Sequence, residues 1–210
     1  MSHSPAIVLY WHPLSSATPV AAALAELRVP HERVKVDIRA GEQHRPAYLA
    51  LNPNGKVPTL TVDGAPMFEA LAIQLWLADT YGVAQGLWPA AGTPQRLQAL
   101  SWCTWAYVTY GAAIVRLQVA TVGDEALRHA AHADAARAVL DGLLGLLDAR
   151  LAAQPWMLGD TYSMADLLVA SVVGYSAFLG APVGGHAHVQ AWLARVQARP
   201  AMQVEQAAAA

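Results

Sequence analysis

The sequence predicts an α/β domain followed by an all-helical domain. Strand and helix patterns alternate within residues 1–84, whereas strand patterns vanish after Thr93. Between the two lies segment 86–94, whose Gly and Pro content is typical of a linker. Mixed strands and helices followed by helices alone indicate two separately packed parts. We therefore expect one domain at residues 1–84 and a second at residues 92–210.

The first domain is expected to run in the order β-α-β, a loop, and then β-β-α. Alternating apolar residues favour strands, and an alanine- and leucine-rich run favours a helix. The Asp63-Gly64 turn joins its two flanking strands at hairpin spacing. The predicted elements are strand 6–11, helix 18–27, strand 33–38, strands 57–62 and 65–68, and helix 69–81.

The second domain is predicted to hold four helices, at 94–119, 126–151, 163–179 and 189–197. Ser163 and Asp166 have the spacing of a capping box, which fixes a helix start. The helix that follows is almost entirely apolar, so we expect it to be buried. Its apolar stretch is shorter than the roughly 20 residues of a membrane span, and we expect no membrane association.

The amino-acid composition limits the kinds of molecule that this protein is expected to bind. Hydrophobic residues make up 55% of the chain and charged residues only 13%, so we expect a partner chain, as in a homodimer, to cover part of the surface. The net charge is −2 and basic residues do not cluster, which argues against nucleic acid. The single cysteine, Cys103, excludes an internal disulfide and fits a cytoplasmic protein. His129 and His132 lack a clear third ligand, so no metal site is expected.

The most informative segment is the loop 52–60, which reads Asn-Pro-Asn-Gly-Lys-Val-Pro-Thr-Leu. Its Asn-Pro and Asn-Gly dipeptides mark turns. Pro58 stands where a strand begins, a position that tolerates a proline and suits a cis peptide bond. A cis bond would turn the N–H and C=O groups of Val57 toward an extended peptide ligand. An ordinary hairpin connection is the alternative.

A second feature follows nine residues later, where Glu69-Ala70 open a helix. The free backbone N–H groups of a helix start favour an anionic guest. The loop and the helix start together predict a peptide-like edge beside a carboxylate site.

These motifs, in this order and spacing, resemble the cytosolic glutathione transferases along nearly the whole chain, and most closely bacterial members near the beta class. The matching pieces are Leu9-Tyr10-Trp11 leading to Ser15-Ser16, 52–60, 69–73, Leu87-Trp88-Pro89, Leu158-Gly159-Asp160, 163–166 and 191–200. The resemblance implies a thioredoxin-like N-terminal domain with a cis-Pro58, an all-α C-terminal domain and a homodimer.

The resemblance also implies a glutathione site. The backbone of Val57, before Pro58, would pair with the cysteinyl part, and Glu69 with the Ala70 amide would hold the γ-glutamyl end. Many relatives carry serine where Ala70 stands. Candidates for the glycyl carboxylate side are Gln43, His44 and Lys56.

Catalysis in this family needs glutathione as a thiolate, which a hydroxyl donor at the start of the first helix stabilises. Ser16 and Ser15 are the candidates, with Ser16 preferred, and Tyr10 is a weaker alternative. A plain helix N-cap is the competing interpretation of the serines. Beta-class relatives carry a cysteine in this region.

The acceptor substrate is expected between the two domains. Tyr107, Tyr110, Gly111 and Ile114 share one helical face by three- and four-residue spacing, and Trp11 is a further candidate. Beta-class relatives often have a histidine near Gly111, which this chain lacks.

The predicted function is therefore conjugation of glutathione thiolate to a small apolar electrophile, with glutathione as co-substrate and no cofactor. Two alternatives stay open: a non-catalytic glutathione-binding protein, and a disulfide reductase or peroxidase that acts through bound glutathione.

Overall fold

The chain folds into two units, which are described separately. The structure, a computed structural model, describes residues 5–207, with side chains to residue 203. Within that range one unit holds residues up to Gln85 together with the segment from Arg199, and the other holds Gly86–Ala198. The strands are β1 (Ile7–Trp11), β2 (Glu32–Lys35), β3 (Thr59–Val62) and β4 (Ala65–Phe68), and the helices are α1 (Thr18–Glu26), α2 (Pro46–Leu49), α3 (Ala70–Leu77), α4 (Pro94–Trp105), α5 (Gly111–Thr121), α6 (Ala130–Ala153), α7 (Met164–Phe178), α8 (Ala187–Gln197) and α9 (Pro200–Ala207).

The first unit is built on a four-stranded sheet with the order β2-β1-β3-β4. The β1–β2 pair is parallel, whereas β3 runs antiparallel to both β1 and β4. In the registers, Tyr10 lies opposite Thr59, and Thr59 lies opposite Phe68. The end of β1, the start of β3 and the end of β4 therefore meet at one edge of the sheet. The predicted β-α-β, loop, β-β-α order is confirmed.

Helix α1 lies in the core of this unit. Its residues from Val20 to Leu24 are fully buried or nearly so. It packs against α3 and also against α9. The predicted division assigned residues 199–210 to the helical domain, but α9 makes its packing contacts with α1, so the described part of this segment belongs to the first unit.

Three local features of the first unit differ from expectation. Strand β2 ends at Lys35, three residues before the expected end. Val34 is exposed, and Val36, just beyond the strand, is buried, so the expected alternation of buried and exposed residues along 33–38 is not observed. A 3₁₀ turn at Glu42–His44 and the four-residue helix α2 occupy the expected loop. Helix α3 ends at Leu77 and continues as a π-helical turn, Ala78–Gly82.

The second unit contains helices α4 to α8. The helix predicted at 94–119 is interrupted by a π-helical turn at Ala106–Tyr110. A π turn inserts an extra residue into the helix, so the faces before and after it no longer follow three- and four-residue spacing. Among the described residues, no helix is long and apolar enough to cross a membrane.

The start of α7 is closed by the predicted capping box. Asp166 is fully buried, and its carboxylate accepts hydrogen bonds from the Ser163 amide at 2.9 Å and the Ser163 hydroxyl at 3.0 Å. It also accepts from the Met157 amide at 2.7 Å and from the Trp192 indole at 2.9 Å. The residue that caps α7 therefore also binds Trp192 of α8.

Candidate functional site

The edge of the sheet described above gathers most of the predicted glutathione residues. The start of α1 follows β1, the loop 52–58 enters β3, and Glu69 follows β4. These segments are far apart in sequence and are brought together by the strand registers. The described site lies entirely within the first unit.

The loop before β3 has the predicted geometry. The Val57–Pro58 peptide bond is cis. The Asn52 side chain accepts from the Asn54 amide at 3.0 Å, and the Gly55 amide bonds to the Asn52 carbonyl at 3.0 Å. Gly55 has φ 58°, and a Cβ there would lie 2.7 Å from the His44 ring, so both backbone shape and space require glycine.

Two side chains support this loop from within. The Tyr48 hydroxyl and the Asn52 amide each donate to the Lys56 carbonyl at 2.7 Å. Thr59 contacts the Tyr48 oxygen at 2.9 Å. Burial raises the pKa of Tyr48, so this hydroxyl stays protonated and remains a donor. Sequence reasoning missed Tyr48 because its four-residue helix has too few residues for a periodic pattern.

Ser16 stands beside the predicted ligand-binding backbone. Its hydroxyl donates to the Val57 carbonyl at 2.9 Å, and the residue is exposed. This hydrogen bond links the candidate catalytic hydroxyl of Ser16 to the carbonyl of Val57, which is expected to bind the cysteinyl part of glutathione.

Ser15 has a different environment. Its hydroxyl donates to the His12 carbonyl at 2.6 Å and accepts from the Ala17 amide at 3.1 Å. Both bonds stabilise the turn that leads into α1, but the N-cap of this helix is Ala17 and no side chain caps it, so neither serine is its N-cap. The geometry therefore favours Ser16 over Ser15 as the hydroxyl that a ligand can reach.

Tyr10 is held in a small hydrophobic cluster. It packs with Trp11 and Ile38 against Ala17, Val36, Tyr48 and Val57. Its ring meets that of Tyr48 edge to face, with 6.1 Å between centroids. This placement matches a packing role, the more usual one for an aromatic residue on a strand.

The start of α3 is open. No side chain caps it, and among residues 5–207 no hydrogen bond is found for the amides of Ala70, Leu71 and Ala72. Glu69 is exposed and has φ 71°, a left-handed conformation that is unfavourable for any residue other than glycine. An uncapped helix start with unpaired N–H groups can bind a carboxylate.

The three glycyl-side candidates differ in access. Lys56 and His44 are exposed, and the His44 ring covers Gly55. The Gln43 side chain donates to the Ile38 carbonyl at 3.3 Å, and its Oε1 is buried. Gln43 is therefore engaged inside the protein, and the exposed cations Lys56 and, when protonated, His44 suit a carboxylate better.

The predicted acceptor face is not assembled as expected. Tyr110 is fully buried in the second unit, and its hydroxyl lies 2.7 Å from Ser176 Oγ. Ile114 is also buried, whereas Tyr107 and Gly111 are partly exposed. Tyr107 and Tyr110 both lie within the π turn, and Tyr110 and Ile114, four residues apart, are both buried inside the second unit, which keeps these two side chains from lining an open acceptor site. The remaining candidate, Trp11, packs against the same hydrophobic cluster as Tyr10. The Arg33 guanidinium lies 5.2 Å from the Trp11 ring.

Three other residues with reactive or metal-binding side chains, Cys103, His129 and His132, lie in the second unit. Cys103 is fully buried, and burial raises the pKa of its thiol far above the usual range, so it is not a nucleophile. The rings of His129 and His132 are 4.6 Å apart, but the described residues contain no cluster of three metal-ligating side chains.

The comparison with known proteins decides the family. A model described as glutathione S-transferase, N-terminal domain, matches residues 15–80, and one described as glutathione S-transferase, C-terminal domain, matches residues 103–200. Glutathione S-transferase GstB of Escherichia coli (strain K12) is 33% identical over 190 residues, which cover 88% of this chain and 89% of that protein. The chain belongs to the glutathione S-transferase family. The expected thioredoxin-like first domain and helical second domain are confirmed.

Solved structures of family members agree in fold. The theta class enzyme of Xanthomonas axonopodis pv. citri, with glutathione bound, has a TM-score of 0.82 and 33% identity, and covers 96% of this chain and 97% of its own. A sphingomonad glutathione S-transferase complexed with glutathione has a TM-score of 0.81 and 29% identity, covering 96% and 98%. A family relative with a different name, the disulfide-bond oxidoreductase YfcG of Escherichia coli (strain K12), is 28% identical over 209 residues, covering 93% of this chain and 92% of that protein.

Proposed function

We propose that this protein binds glutathione at the sheet edge and transfers its thiolate to a small apolar electrophile. The observation that carries the proposal is the Ser16 hydroxyl, 2.9 Å from the Val57 carbonyl. Family membership and the glutathione-bound relatives support it.

Binding would use backbone groups at two places. The cysteinyl part of glutathione pairs with Val57, whose amide has no hydrogen-bond partner within residues 5–207. The γ-glutamyl carboxylate binds the open amides at the start of α3, beside Glu69, whose carboxylate receives the glutamyl ammonium. Lys56 and His44 stand near the loop as candidates for the glycyl carboxylate.

Thiolate formation would use an exchange of hydrogen bonds. A hydroxyl carries one proton, and that of Ser16 is given to the Val57 carbonyl. When the cysteinyl N–H of bound glutathione donates to the Val57 carbonyl instead, the Ser16 hydroxyl can donate its hydrogen bond to the glutathione sulfur. The thiol releases its proton to solvent, and a donor held there stabilises the thiolate that remains, which is otherwise a minor species for a thiol with a pKa of about 8.5. No cofactor is needed for this chemistry.

The decisive experiment is turnover of a chromogenic aryl halide with glutathione by wild type and Ser16→Ala. We expect kcat/KM to fall by about 10² or more, the scale for a lost catalytic donor. Ser15→Ala is the matched control, because it removes a neighbouring hydroxyl that bonds only to the local turn. We expect it to lower stability by about 1 kcal/mol and to change turnover much less.

Calorimetry with glutathione separates transferase from scaffold. If wild type binds glutathione and Ser16→Ala turns over as fast as wild type, only the catalytic role of Ser16 would be rejected. No glutathione binding by wild type would reject the transferase proposal as a whole.

A second function is favoured by one relative, the disulfide-bond oxidoreductase YfcG. Such a reaction here would run through bound glutathione, since Cys103 is buried and unreactive. Reduction of a small model disulfide that exceeds aryl-halide turnover would favour it.

We further propose that the protein acts in the cytoplasm, in detoxification, as a homodimer. The dimer is supported by exposed apolar side chains on α4, the π turn that follows it and α5, namely Leu97, Val108 and Val115 at 68%, 60% and 57% exposure. Sedimentation should give a mass twice that of the 22.3 kDa chain.

A further inference from the structure

The C-terminal segment holds the helix that carries the candidate catalytic serine. Helix α1 begins just after Ser16 and ends at Glu26. Near its other end, Arg199 donates to the two Glu26 carboxylate oxygens at 3.0 and 2.5 Å. The two residues are separated by 173 positions, so tertiary folding alone brings them together.

This ion pair is not explained by the stability of either helix. Glu26 lies in the last turn of α1, where the helix dipole disfavours a carboxylate, and its side chain is only 8% exposed. Arg199 precedes α9, and its carbonyl accepts the first bonds of that helix, where the dipole disfavours a cation. The Glu26 carboxylate is thus unfavourable for α1 and is compensated by Arg199, which also directly follows the C-terminal end of α8, where the dipole favours a cation.

Helix α1 has few other directional anchors. Between Val20 and Leu24 it presents buried apolar side chains, three of them alanine. Apolar contacts are non-directional, and small alanine side chains interlock less with their neighbours than a hydrogen-bonded pair does. Glu26 is the only ionisable side chain in α1. A bidentate Arg–carboxylate pair fixes both position and orientation.

A second contact supports the same end. The Gln85 side chain donates to the Leu27 carbonyl at 2.9 Å, which satisfies a backbone acceptor that α1 leaves open. The end of α1 remote from the site is thus held by residues from two later segments of the chain.

We propose that Arg199 is a positioning residue for Ser16, acting through Glu26 and the rigid helix α1. The helix spans about 15 Å between the two ends, at about 1.5 Å per residue. Loss of the ion pair lets α1 shift along its axis and moves Ser16 relative to Val57. A misplacement of about 1 Å in an active site is enough to lower a rate strongly. This inference rests on the proposed transferase function for its kinetic readout.

The test is Arg199→Met, which keeps an apolar stem but cannot bind the carboxylate. We expect kcat with an aryl halide to fall about tenfold, while the Kd for glutathione from calorimetry stays within about twofold. The control is Arg137→Met, which removes an Arg–carboxylate pair with Asp134 on the surface of the second unit. It should leave both quantities unchanged.

A second readout does not depend on turnover. Amide hydrogen exchange in residues 15–20 should accelerate in Arg199→Met relative to Arg137→Met. The double variant Glu26→Arg/Arg199→Glu, which reverses the pair, should restore slow exchange and kcat.

Unchanged exchange and kcat in a folded Arg199→Met would overturn the inference. A loss of kcat that only matches the unfolded fraction measured in urea would also overturn it, because the role would then be purely structural. If wild type does not turn over, the transferase proposal fails by itself, and the exchange data still test the positioning of α1.

Discussion

The starts of α3 and α7 are built in opposite ways. At α7, Ser163 and Asp166 close the helix, and the buried carboxylate accepts four hydrogen bonds. At α3, no side chain caps the helix, and Glu69 adopts a left-handed backbone conformation. One start satisfies its polar groups inside the protein, whereas the other leaves them open at the sheet edge.

The difference separates a folding signal from a binding site. An unsatisfied backbone group is unfavourable, so a helix start that stays open beside a strained residue needs a compensating role. Ligand binding supplies one. At the start of α7, the N–H groups of Ser163, Met164 and Asp166 donate to internal acceptors, so this start contributes to stability and has no open donor among these three for a ligand.

The largest expected effect on stability comes from removing the side chain that caps α7. Asp166→Ala leaves buried donors without an acceptor, and we expect the free energy of unfolding to fall by about 3 kcal/mol or more. Urea unfolding followed by circular dichroism measures this. Asp160→Ala, at an exposed position nearby, should change stability by less than about 0.5 kcal/mol. A loss below about 1 kcal/mol for Asp166→Ala would show that the network is not a major source of stability.

At the open start, relief of backbone strain should separate stability from binding. Glu69→Gly accepts positive φ, so we expect stability to rise by about 1 kcal/mol while affinity for glutathione falls about tenfold. Arg28→Gly is the matched control, since Arg28 also has positive φ, at 53°, and lies outside the site. It should raise stability without changing affinity. Equal affinity for glutathione in both variants would remove Glu69 from the site.

A buried hydroxyl in the second unit provides a pH test of a closed network. Burial raises the pKa of Tyr110 to about 12, above its value of about 10 in the unfolded chain. Between these values the unfolded chain loses its proton first. Stability therefore falls as pH rises from 10 to 12, by about 1.4 kcal/mol per pH unit. Tyr110→Phe should lack this component, which urea unfolding of both proteins at pH 9 and 11 will measure. Identical pH dependence would contradict the shift.

The smallest expected effect comes from adding a hydroxyl group at the first residue of α3, Ala70. Ala70→Ser introduces the hydroxyl that many relatives carry, and one new hydrogen bond to glutathione is worth about 1 kcal/mol, or about fivefold in Kd. Ala72→Ser, in the same helical turn, is the control and should not change affinity. A weaker affinity in Ala70→Ser than in wild type would argue against binding of a carboxylate here.

The sequence predicted local features where a short motif has a direct physical meaning. The turn at Asn54-Gly55 and the Ser163–Asp166 cap were predicted from neighbouring residues, and the cis bond before Pro58, which the local sequence allows, was implied by the family resemblance; all three are confirmed. Strand and helix order in the first unit was likewise predicted. These features depend on backbone preferences that act within a few residues.

Prediction was incomplete along the helix expected at 94–119. The π turn at Ala106–Tyr110 leaves no clear sequence pattern, and helical spacing alone did not show that Tyr110 and Ile114 are buried. Tyr48 was missed for a related reason, since a four-residue helix has too few residues to show a period.

The sequence by itself determined the family, the order of strands and helices along the first unit and the loop expected to hold a peptide, because turn residues, cis-proline and helix caps act locally. Only the tertiary structure decided which serine faces Val57, which aromatic residues are buried, and that Arg199 returns to Glu26. Those outcomes depend on distances between residues remote in sequence, which local preferences do not encode.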